Sequence, residues 1–271
     1  IGVTGVQTCA LPICALSRVY GEAGLEQLAQ THICVVGIGG VGSWVAESLA
    51  RSAVGSITLI DGDTVARSNI NRQVIALESS VGRAKVEVMR ERILDINPEC
   101  HCNPIQAELS ASNMRELLEQ DYNCVIDAID GVKVKSQMAY HCRRNKIKLV
   151  MTGGAGGLLD PTQVRICDLS KTYNDPLAAK VRSELRRNYN FSRNKKRSFG
   201  IPCVYSTEQQ RYPTTADSGE VSYRKPGVAG LSLDCAFGYG SSVSVTAAMA
   251  QAATFKVIQL SLQSINKQLK G

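Results

Sequence analysis

A chain of 271 residues with 44% hydrophobic and 20% charged residues can bury a substantial core, which excludes a disordered or fibrous protein. The formal net charge is +7, so an acidic partner such as a nucleic acid is worth seeking. The most apolar stretch, residues 231–255, contains Asp234 and many small residues. We therefore expect a packed helix and its approach turn there, and no membrane association.

The first residues do not resemble a folded segment. Residues 3–13 resemble the translation of a sequencing-adapter oligonucleotide, so we interpret residues 1–14 as a non-native artefact and leave them out of the fold. A secretory signal is the alternative, but the segment lacks a basic start and a continuous apolar core. We expect residues 15–271 to form a single domain.

The ten cysteines are scattered and form no C-x-x-C pair, so we expect no structural zinc and no thioredoxin-like redox motif. Cys100-His101-Cys102 is the nearest approach to a ligand cluster, but no second pair lies at zinc-finger spacing. Free thiols in an α/β chain fit the reducing cytoplasm.

A glycine-rich turn organises the N-terminal half. After a short predicted helix at residues 22–30, an apolar run at residues 33–36 leads into G-x-G-G-x-G, and helical spacing follows. This pattern predicts a strand, a turn and a helix whose free N–H groups face an anion. A turn that only packs the strand against the helix is the alternative. The glycines of the turn are Gly37, Gly39, Gly40 and Gly42.

The next strand, at residues 56–60, ends at Asp61. An acidic residue at this position is placed to bind ribose hydroxyls. Up to this point an NAD enzyme explains the sequence as well as an ATP enzyme does. These elements predict an α/β fold with a Rossmann-like mixed sheet, mostly parallel in the N-terminal half and flanked by helices.

Residues 68–73 and Lys85 favour a triphosphate over a dinucleotide. Arg72 follows Asn69 in an amide-rich loop, and Lys85 lies on a helix predicted to begin near Val81. Backbone amides suffice for a dinucleotide pyrophosphate, whereas a triphosphate under attack needs fixed cations. The alternative is a polar loop followed by an exposed helical lysine.

Two carboxylates follow a predicted central strand at residues 122–126. Asp130 would then lie on the same sheet edge as the glycine turn, where a hard cation that bridges phosphates needs one or two oxygen ligands. Asp127 could share that task or cap the next helix.

Together these motifs resemble the ATP site of the ubiquitin-activating-enzyme superfamily, whose bacterial members include adenylyltransferases of thiamine and molybdopterin synthesis. The resemblance spans residues 32–152. It implies that Arg72, Lys85 and Asp130 are catalytic and that Asp130 binds Mg²⁺. It further implies an ATP site formed by Gly37, Gly39, Gly40, Gly42, Asp61, Asp63, Asn69, Arg72, Gln73 and Lys85.

The downstream half is similar to the family of tRNA threonylcarbamoyladenosine dehydratases, through residues 142–147, 152–157, 160–163, 168–180, 203–208 and 234–236. This resemblance implies that ATP activates a carboxylate on a modified adenosine beside the anticodon, and that the product is the cyclised, dehydrated nucleoside. Because an attached carbamoyl oxygen closes the ring, no protein nucleophile is needed. We therefore expect Cys203 and Cys235 to be core residues.

A basic segment supports a tRNA partner. Residues 180–197 carry eight basic side chains and one acidic side chain, Glu184. The net charge of this segment is therefore +7, which equals the formal net charge of the whole chain. We predict that this positive field binds RNA phosphates and that residues 176–200 are mobile until tRNA binds. A solvated basic helix is the alternative. The predicted tRNA-binding residues are Lys180, Arg182, Arg186, Arg187, Arg193, Lys195, Lys196 and Arg197.

The superfamily also implies a homodimer, an N-terminal arginine donated across the dimer, and possible sulfur-transfer partners. Arg18 is the only arginine before Arg51, and we do not assign it that role. If the true N-terminus is absent, we expect weak ATP turnover with folding intact. The alternative functions are activation of a ubiquitin-like sulfur carrier, a nonenzymatic nucleotide-binding module and, more distantly, an NAD oxidoreductase.

Overall fold

The computed structural model describes residues 14–194, 196–213, 220–223 and 240–263. Residues 1–13 of the predicted artefact at residues 1–14 lie outside the described residues, and so do Lys195 and Cys235.

A seven-stranded sheet forms the centre of the fold, with the strand order β3-β2-β1-β4-β5-β7-β6. Every neighbouring pair is parallel except β6 and β7, which are antiparallel. The predicted mixed, mostly parallel α/β fold is therefore confirmed. The strands are β1 (His32–Val36), β2 (Ser56–Ile60), β3 (His101–Ile105), β4 (Cys124–Asp127), β5 (Leu149–Thr152), β6 (Val164–Asp168) and β7 (Pro202–Ser206), with a separate antiparallel pair of β8 (Tyr212–Pro213) and β9 (Val221–Ser222).

The helices cover both faces of the sheet. Side chains of β1 alternate between two cores, with Ile33 and Val35 packing against α3, α4 and α8, and Cys34 and Val36 packing with α5, α6 and α7. Apolar runs buried on both faces are typical of parallel strands. The helices are α1 (Ser17–Tyr20), α2 (Glu22–Ala29), α3 (Gly42–Arg51), α4 (Lys85–Ile96), α5 (Met114–Leu118), α6 (Val132–Arg144), α7 (Pro176–Asn188) and α8 (Val243–Ser261).

Two predicted boundaries shift. The helix that carries Lys85 begins at Lys85 itself and not near Val81, because Gly82 adopts a φ of 86° and its N–H donates to Val65. The central strand β4 begins at Cys124, since the Asn123 side chain accepts a hydrogen bond from the N–H of His32. Strand β2 spans the predicted residues.

The apolar C-terminal stretch forms α8, which packs its buried face against α3 and the sheet. The expected packed helix is confirmed from Val243 onward, while residues 231–239 lie outside the described part of the chain. None of the helices in the described ranges is long and apolar enough to cross a membrane.

Candidate functional site

A cavity of about 730 Å³ opens at the carboxyl ends of β1, β2, β4 and β5. The chain runs from β1 to β2 on one side, and β4 pairs with β1 on the other side. Ligands of open α/β sheets bind at such a switch point, and the volume lies within the usual range for small-molecule sites. We call this space the main cavity.

The glycines of the first turn have two different tasks. Gly37 has a φ of 88°, and a Cβ there would lie 2.9 Å from the carbonyl oxygen of Ala128. A Cβ on Gly42 would lie 1.7 Å from the carbonyl oxygen of Gly37. Gly37, Gly39 and Gly40 line the main cavity, and a Cβ on Gly39 would meet nothing closer than the Gln73 side chain at 3.9 Å. Close packing therefore explains Gly37 and Gly42, and access to a ligand explains Gly39.

Asp61 ties the glycine turn to the end of β2. One carboxylate oxygen accepts a hydrogen bond from the N–H of Ile38 at 2.6 Å, and the other accepts from the N–H of Asp63 at 2.8 Å. Asp61 also lines the main cavity. Because a carboxylate has about four acceptor positions, these bonds leave capacity for a ribose hydroxyl.

Lys85 is a buried cation on the wall of the main cavity. Its Nζ lies 2.7 Å from a carboxylate oxygen of Asp63, and the exposed fractions of the two side chains are 7% and 64%. The backbone N–H of Lys85 also donates to the carbonyl of Asp63. The alternative of an exposed helical lysine is therefore wrong, and the positive charge is fixed in place.

Arg72, Asn69 and Gln73 line the cavity beside Lys85. The Arg72 guanidinium donates to the carbonyl of Ser68 at 2.7 Å and to the side chain of Asn71 at 3.0 Å. Asn69 accepts a hydrogen bond from the N–H of Ala66 and so stabilises its own loop. The buried Gln73 Oε1 has no hydrogen-bond partner among the described residues. Together Arg72, Asn69 and Gln73 bring one cation and two amides to the wall of the main cavity.

Asp127 has neither of the roles left open for it. It is completely buried, and one of its oxygens lies 2.8 Å from the Nζ of Lys135. Burial raises the pKa of the Asp127 carboxyl, and the charge of Lys135 opposes this rise. Asp127 is therefore half of an internal ion pair. Asp130, three residues further on, is exposed and lines the main cavity.

Sequence reasoning missed Lys135. This lysine occupies the first position of a buried stripe on α6 that continues through Met138, Ala139 and Cys142. A lysine in phase with an apolar stripe at helical spacing is a signal that could have identified it. Buried charges of this kind need a partner.

Asp175 joins α7 to the main cavity. It caps the helix through the N–H of Ala178, and its other oxygen accepts from the N–H of Gly154 at 3.0 Å. Burial raises the pKa of this carboxyl. A Cβ on Gly153 would lie 1.8 Å from the same carboxylate, so the glycines after β5 permit this contact. As a result Lys180, on the second turn of α7, lines the cavity.

The basic segment starts on a packed helix. The buried face of α7, formed by Ala178, Val181 and Leu185, lies in the core shared with α6. Arg182 and Arg186 are half-buried, and Arg186 lies over the ring of Phe199 at 5.4 Å from its centroid. The mobility expected for residues 176–200 stays a prediction. The exposed basic residues are Lys180, Arg187, Arg193, Lys196 and Arg197.

Cys203 is confirmed as a core residue. It lies in β7 with 1% of its surface exposed. Burial raises the pKa of its thiol far above the usual value, and a thiol in that state is a poor nucleophile.

Comparison with known proteins agrees with this geometry. The chain is 47% identical over 243 residues to the tRNA threonylcarbamoyladenosine dehydratase of Haemophilus influenzae, with 90% of each chain covered. It is 50% identical over 232 residues to the Escherichia coli enzyme of the same name, covering 85% of this chain and 86% of that one. The crystal structure of E. coli tRNA N6-threonylcarbamoyladenosine dehydratase in complex with ATP superposes with a TM-score of 0.82 at 42% identity, over 94% of this chain and 96% of that one. The model of the ThiF family matches residues 13–270, and the chain belongs to the ThiF family.

Proposed function

We propose that the protein catalyses the ATP-dependent dehydration of threonylcarbamoyladenosine in tRNA, in which the carboxylate is adenylated and then cyclised. One observation carries this proposal: a single cavity is lined by the fixed cation Lys85, by Arg72 and Asp130, and by Lys180 of the basic segment. The E. coli relative of that name was crystallised in complex with ATP, and it matches 94% of this chain at 42% identity. This similarity supports the same reaction.

The cavity residues fit an ATP that is held at its phosphates. Gly39 leaves room for close approach of the backbone, and the N-terminus of α3 favours negative charge. Lys85 and Arg72 face the same space, where fixed positive charge stabilises the charge that develops on the leaving pyrophosphate. The Asp61 carboxylate lies where a ribose would be bound.

The reaction would proceed in two steps. The threonyl carboxylate attacks the α-phosphorus of ATP, pyrophosphate leaves, and an acyl-adenylate forms. The neighbouring carbamoyl oxygen then attacks the acyl carbon, the carbamoyl nitrogen loses its proton, AMP leaves and a five-membered ring closes. The nucleophile is already attached to the electrophile, so proximity supplies much of the acceleration. The burial of Cys203 agrees with a mechanism that uses no thiol at that position.

Asp130 is the residue that we propose to hold Mg²⁺. Asp127 is completely buried and pairs through one oxygen with Lys135, whereas Asp130 is exposed and lines the cavity. Magnesium is typically bound through one or two carboxylates together with substrate phosphates. When bound, the ion would neutralise phosphate charge.

We propose that tRNA approaches along α7. The exposed basic residues follow Lys180 on this helix and the next loop, and Asp175 fixes the beginning of the helix at the edge of the cavity. The basic segment therefore begins at the wall of the main cavity, where Lys180 lies. This arrangement favours tRNA over a sulfur-carrier protein as the source of the carboxylate.

The decisive experiment is mass spectrometry of tRNA nucleosides after incubation of the protein with ATP, Mg²⁺ and tRNA that contains threonylcarbamoyladenosine. We expect the threonylcarbamoyl nucleoside to lose one water and AMP to appear in equal amount. AMP release that depends on a sulfur-carrier protein and not on tRNA would support the alternative function.

We also propose a homodimer that acts in the cytoplasm. Three apolar residues between the cavity-lining Asn69 and Lys85 are exposed, namely Ile70 (42%), Leu77 (54%) and Val81 (40%). Exposed apolar side chains of this kind could be buried by a second copy of the chain. The cysteines whose side chains are described form no disulfide, in keeping with a reducing compartment. Light scattering coupled to size exclusion tests the dimer, and a monomeric mass at micromolar concentration would contradict it.

A further inference from the structure

A second cavity adjoins the main cavity at the start of α7. Its volume is about 330 Å³, near the lower end of the range for ligand pockets. It shares four wall residues with the main cavity, namely Asn174, Asp175, Pro176 and Gln210. We call it the side pocket; its other wall residues are Ala179, Arg182, Gln209, Tyr212 and Tyr223.

Aromatic rings form one wall of the side pocket. Tyr212 lies on β8, and Tyr223 follows β9, which pairs with β8. Tyr223 is 53% exposed, and the Arg211 guanidinium lies over one face of its ring, 5.5 Å from the centroid. A cation held against an aromatic face helps to fix the orientation of the ring. An exposed, oriented ring in a positively charged setting is a platform on which nucleic-acid bases stack.

A half-buried cation, Arg182, also lines the side pocket. Arg182 donates to the hydroxyl of Thr172, and the one acidic residue of its segment, Glu184, pairs with Arg187 instead. Burial, together with nearby Arg186, lowers the pKa of Arg182. The Asp175 carboxylate in the same pocket already accepts two backbone N–H bonds. A phosphate in the pocket would therefore meet an incompletely neutralised positive charge.

Two amide side chains, Gln209 and Gln210, also line the side pocket. Gln210 donates from its Nε2 to the carbonyl of Gly156 at 2.7 Å, while its buried Oε1 has no partner among the described residues. The buried Nε of Arg211 also has no hydrogen-bond partner among the described residues. Buried polar groups without hydrogen-bond partners destabilise the structure, so this segment gains if a ligand supplies partners. Amides offer both donors and acceptors, as do the edges of nucleobases.

We propose that the side pocket binds a nucleobase of the tRNA that flanks the modified adenosine. The base stacks on Tyr223, its edge meets the amides of Gln209 and Gln210, and Arg182 binds the adjoining phosphate. This inference rests on the proposed function, because the modified adenosine must enter the main cavity and its neighbour then lies against the shared wall. Sequence-specific recognition of RNA commonly uses unstacked loop bases in this way.

The test measures KM for an anticodon stem-loop RNA that carries threonylcarbamoyladenosine, with ATP saturating. We expect Tyr223→Ala to raise this KM by roughly tenfold, the effect of losing one stacked base, with little change in kcat. Tyr223→Phe keeps the ring and should restore the KM to within about twofold of the wild type. Phe255→Ala removes an exposed aromatic ring from α8, on the other face of the sheet, and serves as the matched control with an unchanged KM.

A second arm tests which RNA group is bound. The same RNA is prepared with an abasic nucleotide on one or the other side of the modified adenosine. One abasic RNA should raise the wild-type KM as much as Tyr223→Ala does. On that RNA the KM of Tyr223→Ala should rise no further, because the effects of removing the ring and removing the base that contacts it are not additive. An unchanged KM for Tyr223→Ala, or full additivity with both abasic RNAs, would overturn the proposal. If the wild type forms no dehydrated product, the proposed function itself fails, which is a distinguishable result.

Discussion

The Nζ of Lys135 lies 2.8 Å from a carboxylate oxygen of Asp127 at the carboxyl end of β4, and both side chains are buried. The same Nζ donates to the carbonyl of Ile129 at 2.9 Å. Thr152, at the end of β5, donates from its hydroxyl to the carbonyl of Asp127. One buried cation therefore fixes the backbone that leads from the central strand to Asp130, the residue proposed to hold the metal.

We predict that Lys135→Met lowers the free energy of unfolding by about 3–5 kcal/mol, because it leaves a buried carboxylate without its partner. Met retains most of the side-chain volume, so the loss reports charge and hydrogen bonding and not a large cavity. Urea denaturation at neutral pH measures this effect.

The matched variants are Asp127→Asn and the double variant. If the two groups stabilise the fold as a pair, the double variant should be clearly more stable than the sum of the two single effects predicts. Additive losses would show that Lys135 and Asp127 act independently. In that case the backbone bond to Ile129 would be the main contribution of the lysine.

How far the sequence predicts this site depends on how local each feature is. The strand, glycine turn and helix around Gly39 and the position of Asp61 follow from short-range patterns, and the structure places them as expected. The ion pair of Lys135 with Asp127 depends on burial of α6 against β4. Burial of one element against another is a tertiary property that a local pattern does not contain. The local pattern therefore predicts Asp127 to be a metal ligand or a cap of the next helix.

Asp175 illustrates the same limit over a longer distance. Its carboxylate bonds to Gly154, 21 residues earlier in the chain, because β5 and the start of α7 meet at the edge of the sheet. Neither residue carries a pattern that reveals the contact. The division of the glycines into packing and ligand-facing positions likewise depends on distances to Ala128 and Gln73, which no spacing contains.

Removal of the buried cation of the main cavity should impair catalysis. We predict that Lys85→Ala lowers the rate of AMP formation by on the order of 10², the usual loss for a group that stabilises developing charge. Lys85→Met should show the same loss while preserving packing. Asp63→Ala should cost less, since the cation remains and only its carboxylate partner at 2.7 Å is removed. Single-turnover assays with radiolabelled ATP measure these rates.

The control for the Lys85 series is Arg83→Ala. Arg83 is exposed two residues before the same helix and pairs with Glu91, and neither residue lines the main cavity. Its loss should leave the single-turnover rate unchanged. If Lys85→Met also keeps the wild-type rate, Lys85 is a structural lysine and the assignment of the phosphate site is wrong.

The two kinds of glycine should respond differently to alanine. Gly42→Ala places a Cβ 1.7 Å from the carbonyl oxygen of Gly37, and we expect a loss of at least roughly 1–3 kcal/mol in unfolding free energy from overpacking. Gly39→Ala meets only the Gln73 amide at 3.9 Å, so the fold should persist while affinity for ATP falls. Thermal unfolding and nucleotide titration separate the two effects. Equal stabilities of the two variants would contradict this division.

The basic segment should determine how tRNA binding depends on salt. Replacing Arg187, Arg193, Lys196 and Arg197 with Gln should weaken binding and reduce the slope of log K against log salt, by about 0.9 for each duplex phosphate that the variant no longer neutralises and by less for single strands. Filter binding at several salt concentrations measures the slope. Arg90 lies on α4 and Arg83 just before it, on the other face of the sheet, and the same replacement there should leave the slope unchanged. An unchanged slope for the segment variant would identify it as a solvated surface.

Asp168 anchors the far end of the basic segment and should make stability depend on pH. Its carboxylate accepts hydrogen bonds from the N–H groups of Phe199, Gly200 and Ile201, and from Ser170. Although burial raises the pKa of this group, these bonds outweigh the effect and hold the pKa below its usual value. A lowered native pKa means that the bonds stabilise the fold above the unfolded pKa of about 3.9. This contribution is lost as the pH falls through the native pKa.

We therefore predict that Asp168→Asn costs roughly 1–3 kcal/mol of unfolding free energy at pH 7, because the amide NH₂ faces donors that the carboxylate oxygen satisfied. The difference from the wild type should stay constant down to about pH 5 and shrink below about pH 4, because the carboxyl becomes protonated in the unfolded state first and in the native state only at lower pH. Urea midpoints between pH 3 and pH 7 measure this convergence. A difference that is the same at pH 3 and pH 7 would show that the substitution acts through packing alone, and that the charge of Asp168 does not hold residues 199–201 in place.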